Sequence, residues 1–198
     1  PLLVTDPGLM SIGLVQPVLA ALEKAGIGIV VFDEVREDPP EATVLSAADL
    51  GRSQGVDGVI AVGGGSSMDV AKVVAALLGG QQALAQLYGV GNITGSRLPL
   101  VLVPTTAGTG SEVTPVAVIT TGETTKAGVS SPVLLPDVAV LDADLTLGLP
   151  PMVTAMTGVD AMVHAIEAYT SRHQKNPLSD NLARQALGLL ARNIRTAV

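Results

Sequence analysis

No cysteine and no tryptophan occur in the 198 residues, and the only aromatic side chains are Phe32, Tyr88 and Tyr169. Without cysteine, the chain can form no disulfide, thiolate nucleophile or thiolate metal site, which fits a reducing, cytoplasmic location. Eleven basic residues against 18 acidic ones give a net charge of −7. Because that charge repels polyanions and few rings can stack on bases, we do not expect nucleic acid as a partner.

Long uninterrupted apolar runs are scarce, although 47% of the residues are hydrophobic. The longest uncharged stretch, residues 73–96, contains glutamines, Asn92 and several glycines, so we predict no membrane span and no membrane partner. The opening residues PLLVTDPGL have neither a starting methionine nor a basic segment, so we do not expect them to be a signal peptide. They resemble the interior of a longer protein.

Buried strands are predicted where apolar runs end in polar or turn residues, at residues 1–5, 27–32, 57–62 and 98–106. An Asp-Pro-Gly turn follows the first strand, and helical periodicity follows through Leu14, Val18 and Leu22, then at 40–54 and 67–78. Strands that are apolar on both faces and alternate with helices indicate a parallel sheet covered by helices. Further strands or a hairpin are predicted between residues 113 and 145. We therefore predict an α/β nucleotide-binding domain over residues 1–149.

From Pro150 onward the strand pattern ceases, and residues 150–198 read as helix, break, helix. The proline pair at 150 and 151 marks the predicted boundary. This second segment is predicted to be the beginning of an all-helical domain.

A glycine-rich turn, IAVGGGSSMDVAK, spans residues 60–72, with Gly63, Gly64 and Gly65 between a strand and a helix that begins near Ser67. Backbone amides at such a helix start, together with the Ser66 hydroxyl, can bind a diphosphate. The pattern is neither G-x-G-x-x-G nor a Walker loop. A tight structural turn is the alternative.

A second polar loop, PTTAGTGSEVT at residues 104–114, follows another predicted strand and is rich in hydroxyl side chains. In an open α/β sheet, ligands lie outside the carboxyl ends of the strands, so two such loops can share one nucleotide. An ordinary polar surface loop is the alternative. The two loops together favour nucleotide binding.

Asp160 and His164 lie four residues apart in the predicted helix GVDAMVHAIEAY. On a helix they project from one face and can bind one divalent cation. A solvated Asp–His pair is the alternative. For His173, which lies among charged residues, we expect a solvated surface position.

These three motifs, in this order and spacing, resemble the iron-containing (group III) alcohol dehydrogenase family over nearly the whole chain. The most specific pieces are GGGSSMDVAK, PTTAGTGSE and TGVDAMVHAIEAY. The resemblance implies a Rossmann-like domain followed by a helical metal-binding domain, with NAD(P) in the cleft between them. It implies hydride transfer between NAD(P) and a small alcohol or aldehyde.

The resemblance also implies which residues contact the cofactor. Those on the diphosphate and nicotinamide side are Gly64, Gly65, Ser66, Asp69, Thr105, Thr106 and Thr109. Val118 lines the cleft, and the adenosine side has Asp6, Asp38 and Lys126. Asp38 departs from the family, which often has asparagine there, and Asp69 can equally be a residue that interacts with the helix dipole. Asp6 is expected to favour NAD over NADP, since a carboxylate accepts hydrogen bonds from ribose and repels a 2′-phosphate; a residue that only starts the Asp-Pro-Gly turn is the alternative.

By the same resemblance, Asp160 and His164 are the first two metal ligands, and the family's two further histidines lie beyond residue 198. Iron(II), Fe2+, is the expected metal, and Zn2+ suits the same ligands. The chain therefore looks like the middle of a family member without its two ends, and alone it is expected to be inactive. The catalytic residues remain unassigned. A homo-oligomer is expected for the complete form, and the alternatives are a transhydrogenase, another carbonyl reductase or a non-catalytic nucleotide-binding fragment.

Overall fold

The computed structural model describes residues 1–198, which divide into two compact units. The first unit contains Pro1–Thr105 and Ser111–Asp142, and the second contains Thr106–Gly110 and Ala143–Val198. The strands are β1 (Leu2–Val4), β2 (Val30–Phe32), β3 (Val59–Gly63), β4 (Gly89–Val90), β5 (Leu100–Pro104), β6 (Val116–Thr121), β7 (Thr125–Ser130) and β8 (Val138–Ala139). The α-helices are α1 (Pro7–Ser11), α2 (Gln16–Lys24), α3 (Glu41–Ser53), α4 (Gly65–Gly79), α5 (Pro151–Thr170) and α6 (Pro177–Ala197).

Five strands of the first unit form one parallel sheet in the order β2-β1-β3-β5-β8. Leu2 of β1 lies opposite Val30 on one side and Val59 on the other. Because these strands are apolar on both faces, the sheet is buried. The predicted α/β fold with a parallel sheet is confirmed, and all strands of this sheet point their carboxyl ends to one edge.

Helix α4 is the most deeply buried helix of this unit, with ten buried residues between Ser67 and Leu77. Its sequence, VVAALL after Lys72, presents small and branched apolar side chains on every side. Such a helix must pack within the core rather than on the surface. It runs directly from the end of β3, so its first turn lies at the carboxyl edge of the sheet.

A second, three-stranded sheet in the order β4-β7-β6 belongs to the same unit. Strands β6 and β7 form the predicted hairpin, with Thr121 opposite Thr125 and the positive-φ Gly122 in the turn. Ala117, Ile119 and Val129 are buried on one face. This hairpin follows the second polar loop in the chain.

The Asp-Pro-Gly segment after β1 forms a helix instead of the predicted turn. Asp6 caps helix α1, because its carboxylate Oδ1 accepts a hydrogen bond of 3.0 Å from the Leu9 amide and Pro7 occupies the first helical position. Gly13, at φ +75°, then separates α1 from α2. The periodicity from Leu14 to Leu22 therefore predicted helix α2, whereas α1 was not predicted.

Two long helices, α5 and α6, make up most of the second unit and pack against each other. A Cβ at Gly158 would lie 2.9 Å from Ile194 Cδ1, so the missing side chain permits close approach of the helices. Asn176 caps α6 by accepting a hydrogen bond of 2.9 Å from the Ser179 amide. None of the helices in the chain has the length and apolar character required to cross a membrane.

Candidate functional site

The glycine-rich turn connects the carboxyl end of β3 directly to α4. Gly64 is the N-cap of the helix, no side chain caps it, and the first turn holds no acidic residue. Gly64, Gly65 and Ser66 are all partly exposed. The opening amides of α4 are therefore accessible and uncapped by side chains, which is the arrangement that binds an anionic group such as phosphate.

Gly63 is required by close packing within this turn. A Cβ at this position would lie 2.6 Å from both Cβ and Oγ of Ser67. The backbone φ at Gly64, by contrast, is −77°, which residues other than glycine adopt readily. The two glycines thus have different physical roles.

The second polar loop begins beside the glycine-rich turn. Gly63 is paired in register with Pro104, and the buried Thr105 donates its amide to the Gly63 carbonyl at 3.0 Å. Two of the predicted cofactor residues, Thr106 and Thr109, belong to the second unit. There the Thr106 Oγ1 is buried without a hydrogen-bond partner, which is unusual for a hydroxyl and suits a group that receives a ligand.

A buried polar network joins α4 to the segment that enters β6. Lys72 is completely buried, and its Nζ donates to Ser111 Oγ at 2.8 Å, to the Thr114 carbonyl at 3.0 Å and to the Val116 carbonyl at 2.9 Å. Ser111 Oγ donates in turn to Asp69 Oδ1 at 2.6 Å. The three hydrogens of the ammonium group thus have three acceptors within 3.0 Å, and Thr114 Oγ1 lies farther away at 3.5 Å.

Asp69 holds the same segment by a second contact, since its Oδ2 accepts the Val118 amide at 2.9 Å. Burial raises the pKa of Asp69 above its ordinary value, against the lowering effects of the bonds from Ser111 and Val118 and the charge of Lys72. Burial likewise lowers the pKa of Lys72 to about 8, although the charges of Asp69 and Glu112 oppose this shift. Asp69 Oδ1 and Lys72 Nζ are 4.0 Å apart and form a pair of opposite charge in which Lys72 is buried and Asp69 is partly exposed.

The two residues predicted on the adenosine side form an ion pair. Lys126 Nζ lies 2.6 Å from Asp38 Oδ1, with both side chains more than half exposed. Asp38 has φ 52°, and its carbonyl accepts the Thr120 hydroxyl at 3.0 Å. Val118, the predicted cleft residue, is exposed on β6. Asp6 stands at the carboxyl end of β1, where it caps α1.

Asp160 and His164 of α5 lie on one face of the helix, with His164 Nε2 3.7 Å from Asp160 Oδ1. Both side chains are about half exposed, so they can reach a shared cation. Their carboxylate and imidazole donors suit a divalent transition metal. The chain has no group of three or more histidine, cysteine or acidic side chains that could hold a metal ion. His173 is exposed.

Sequence reasoning missed Lys72 and Ser111 as members of this site. One signal was available, because Lys72 is the only charged residue in the otherwise apolar stretch from Val70 to Gly79. A lysine at this position must either be exposed to solvent or be buried with hydrogen-bond acceptors around its ammonium group. The identity of those partners, about forty residues further along the chain, has no sequence signature.

Together, the parallel sheet and the glycine-rich turn at its carboxyl edge define a Rossmann-like α/β domain followed by a helical part. The chain belongs to the iron-containing alcohol dehydrogenase family. The family model described as "Iron-containing alcohol dehydrogenase" matches residues 1–143. The model described as "Fe-containing alcohol dehydrogenase family, C-terminal" matches residues 154–198. The family resemblance drawn from the motifs is therefore confirmed.

Several curated proteins and solved structures are similar to this chain. A long-chain-alcohol dehydrogenase from Geobacillus thermodenitrificans is 44% identical over all of this chain and 50% of its own length. A 1,3-propanediol dehydrogenase from Citrobacter freundii is 42% identical over all of this chain and 51% of its own length. The crystal structure of a 1,3-propanediol oxidoreductase superposes with a TM-score of 0.94 at 41% identity, over 99% of this chain and 51% of that one.

The sulfoacetaldehyde reductase of Bifidobacterium kashiwanohense, solved in complex with NAD+, superposes with a TM-score of 0.90. Its identity is 34%, over 100% of this chain and 52% of that one. The chain spans about half the length of the curated relatives it matches.

Proposed function

We propose that this chain contributes the NAD-binding part and two metal ligands of a metal-dependent oxidoreductase, which transfers hydride between NAD(P) and a small alcohol or aldehyde. The observation that carries the proposal is the accessible first turn of α4, uncapped by side chains, at the carboxyl edge of a parallel sheet. The proposal also draws on family membership and on an NAD+ complex of a similar protein. We retain the division between a cofactor domain at 1–149 and a helical metal domain at 150–198 as part of the proposal.

The residues of the turn fit a dinucleotide diphosphate. The amides at Gly65 and Ser66 and the Ser66 hydroxyl would donate hydrogen bonds to its oxygens, favoured by the positive end of the α4 dipole. Thr105, which donates its amide to the Gly63 carbonyl at 3.0 Å, holds the start of the second polar loop beside this turn. Asp6, at the carboxyl end of β1, would accept hydrogen bonds from the adenosine ribose, which favours NAD over NADP.

The donors of Asp160 and His164 fit part of a divalent cation site. When bound, iron(II) or zinc would polarise the substrate oxygen and the nicotinamide would accept hydride. The chain's own contribution is to orient the cofactor through the turn and to hold the Val118 segment in place through Asp69. Self-association and a cytoplasmic location stay predictions.

Calorimetry of NAD binding to wild type and Gly64→Val tests the cofactor site. Valine is compatible with the φ of −77° at Gly64, but its side chain would block approach to the amides, so we expect binding to be lost while the fold persists by circular dichroism. Gly28→Val is the control, because a Cβ there meets nothing within 4 Å, and it should bind like wild type. Unchanged affinity in Gly64→Val would contradict the assignment.

A further inference from the structure

Helix α4 contributes to the proposed cofactor site in two ways. Its N-terminal amides at Gly65 and Ser66 are accessible for an anion, and one to two turns further along it carries Asp69 and Lys72. These two side chains fasten the segment from Ser111 to Val118, which leads into β6. One helix therefore sets the position of two sequence-distant parts of the proposed site.

We infer that Lys72 is a positioning residue for the cofactor site, acting through Ser111 and the backbone of Thr114 and Val116 rather than by touching the cofactor. Because Lys72 is completely buried, its ammonium group can reach no ligand in solution. All three of its donors are used on the 111–116 segment, at 2.8 to 3.0 Å. This inference rests on the proposed binding of NAD.

The presence of a charged side chain at position 72 supports a positioning role for this residue. A buried ammonium is expensive to desolvate, and packing alone would be met better by a methionine or leucine. What a lysine adds is three directed donors, which fix two backbone carbonyls and one hydroxyl in a single arrangement. The Ser111 hydroxyl in turn donates to Asp69 Oδ1 at 2.6 Å, and Asp69 Oδ2 accepts a hydrogen bond from the Val118 amide at 2.9 Å.

Charged groups facing Lys72 come from two elements. Asp69 lies on α4 itself, 4.0 Å away, and Glu112 lies in the turn before β6. Both are acidic, so they favour the ammonium form that donates all three bonds. Replacement of Lys72 by a side chain without these donors should loosen the segment from Ser111 to Val118 while the strands of the main sheet remain paired.

The absence of natural cysteine allows a direct test. Lys72→Cys introduces the single thiol of the chain, and alkylation with 2-bromoethylamine in urea, followed by refolding, restores a side chain of nearly lysine length that ends in an ammonium group. Wild type is taken through the same treatment. Lys24→Cys, at an exposed position of α2, is the matched control.

Two quantities are measured, the dissociation constant for NAD and the hydrogen exchange of the Val118 amide by NMR. Lys72→Cys is expected to weaken NAD binding by about tenfold or more, the effect of losing a hydrogen bond to a charged group, and to accelerate exchange at Val118. Aminoethylation should restore both, and Lys24→Cys should change neither. Alkylation of Lys72→Cys with 1-bromopropane, which restores the bulk without the ammonium group, should leave NAD binding weak; rescue by this neutral group would mean that packing alone is responsible.

Equal NAD affinity in wild type and Lys72→Cys would overturn the inference alone. A loss that aminoethylation does not restore would overturn it as well. A wild-type chain that does not bind NAD would overturn the proposed function and, with it, the inference. Ser111→Ala provides a second variant should Lys72→Cys not refold, since it removes the hydroxyl shared by Lys72 and Asp69 and should weaken NAD binding in the same direction.

Discussion

Asp38 and Lys126 are 88 residues apart in the sequence, and their side chains meet at 2.6 Å. The pair is exposed, and Asp38 adopts a left-handed backbone conformation with φ 52°. An exposed pair contributes little to stability, whereas the backbone conformation is one that asparagine and aspartate tolerate better than other residues. We therefore expect the backbone conformation of Asp38 to contribute more to stability than its ion pair with Lys126.

Asp38→Ala should lower the free energy of unfolding by about 1 kcal/mol, because alanine is strained at positive φ. Asp38→Asn and Lys126→Met should each stay within about 0.5 kcal/mol of wild type, since each loses only the ion pair. Urea unfolding followed by circular dichroism measures all three. A larger loss in Lys126→Met than in Asp38→Ala would show that the charge dominates.

Gly63→Ala should destabilise the fold by about 1–3 kcal/mol, the usual effect of forcing an additional methyl into a packed site. The new Cβ would lie 2.6 Å from the Ser67 Cβ, which cannot move without shifting α4. Gly28→Ala is the matched control, because its Cβ meets nothing. If thermal unfolding gave the same midpoint for both variants, close packing at Gly63 would be disproved.

Lys72 should make stability increase at alkaline pH. Burial lowers its pKa from 10.5 to about 8, so between these values the unfolded chain binds more protons than the folded one, and the free energy of unfolding rises with pH. The rise from this group amounts to about 3 kcal/mol at most. Lys72→Met removes it, so the free energy of unfolding of wild type, taken relative to that of Lys72→Met, should rise between pH 8 and 10.5 in urea titrations. A difference that stays constant with pH would contradict the shift.

Asp6→Ser should shift cofactor preference toward NADP without unfolding α1. Serine caps a helix about as well as aspartate, so the contact to the Leu9 amide is kept while the carboxylate is removed. The ratio of NADP to NAD affinity should rise because repulsion of the 2′-phosphate is lost. Asp57→Ser is the control, since this exposed residue precedes β3 at the opposite edge of the sheet. An unchanged ratio in Asp6→Ser would remove Asp6 from the cofactor site.

The main sheet could be predicted from the sequence because each of its longer strands is a short apolar run with clear boundaries. Apolar runs such as DGVIAV end at glycine or polar residues, and their alternation with helices leaves few arrangements other than a parallel sheet. Strand β8 and the β6–β7 hairpin were likewise expected in this region. Helix α1 was missed, because an Asp-Pro-Gly sequence starts either a turn or a helix and only the Leu9 amide contact distinguishes them.

The site was predictable where its groups are close in sequence and not where they are distant. Gly64, Gly65 and Ser66 follow one another at the end of a strand, and helical geometry alone brings Asp160 to His164. The contact of Lys72 with Ser111 spans 39 residues and depends on how α4 packs against the segment before β6. Neither residue has a local pattern that indicates its partner.

Asp160 and His164 should bind a divalent cation weakly and together. Two protein ligands leave the remaining coordination positions to water, so affinity should fall well short of a site with three or four ligands. Calorimetry with Zn2+ should detect binding to the wild-type chain that Asp160→Asn and His164→Ala each abolish. His173→Ala removes the chain's other histidine, which is exposed, and should bind Zn2+ as wild type does. If His173→Ala lost the binding while His164→Ala kept it, the pair on α5 would not be the metal site.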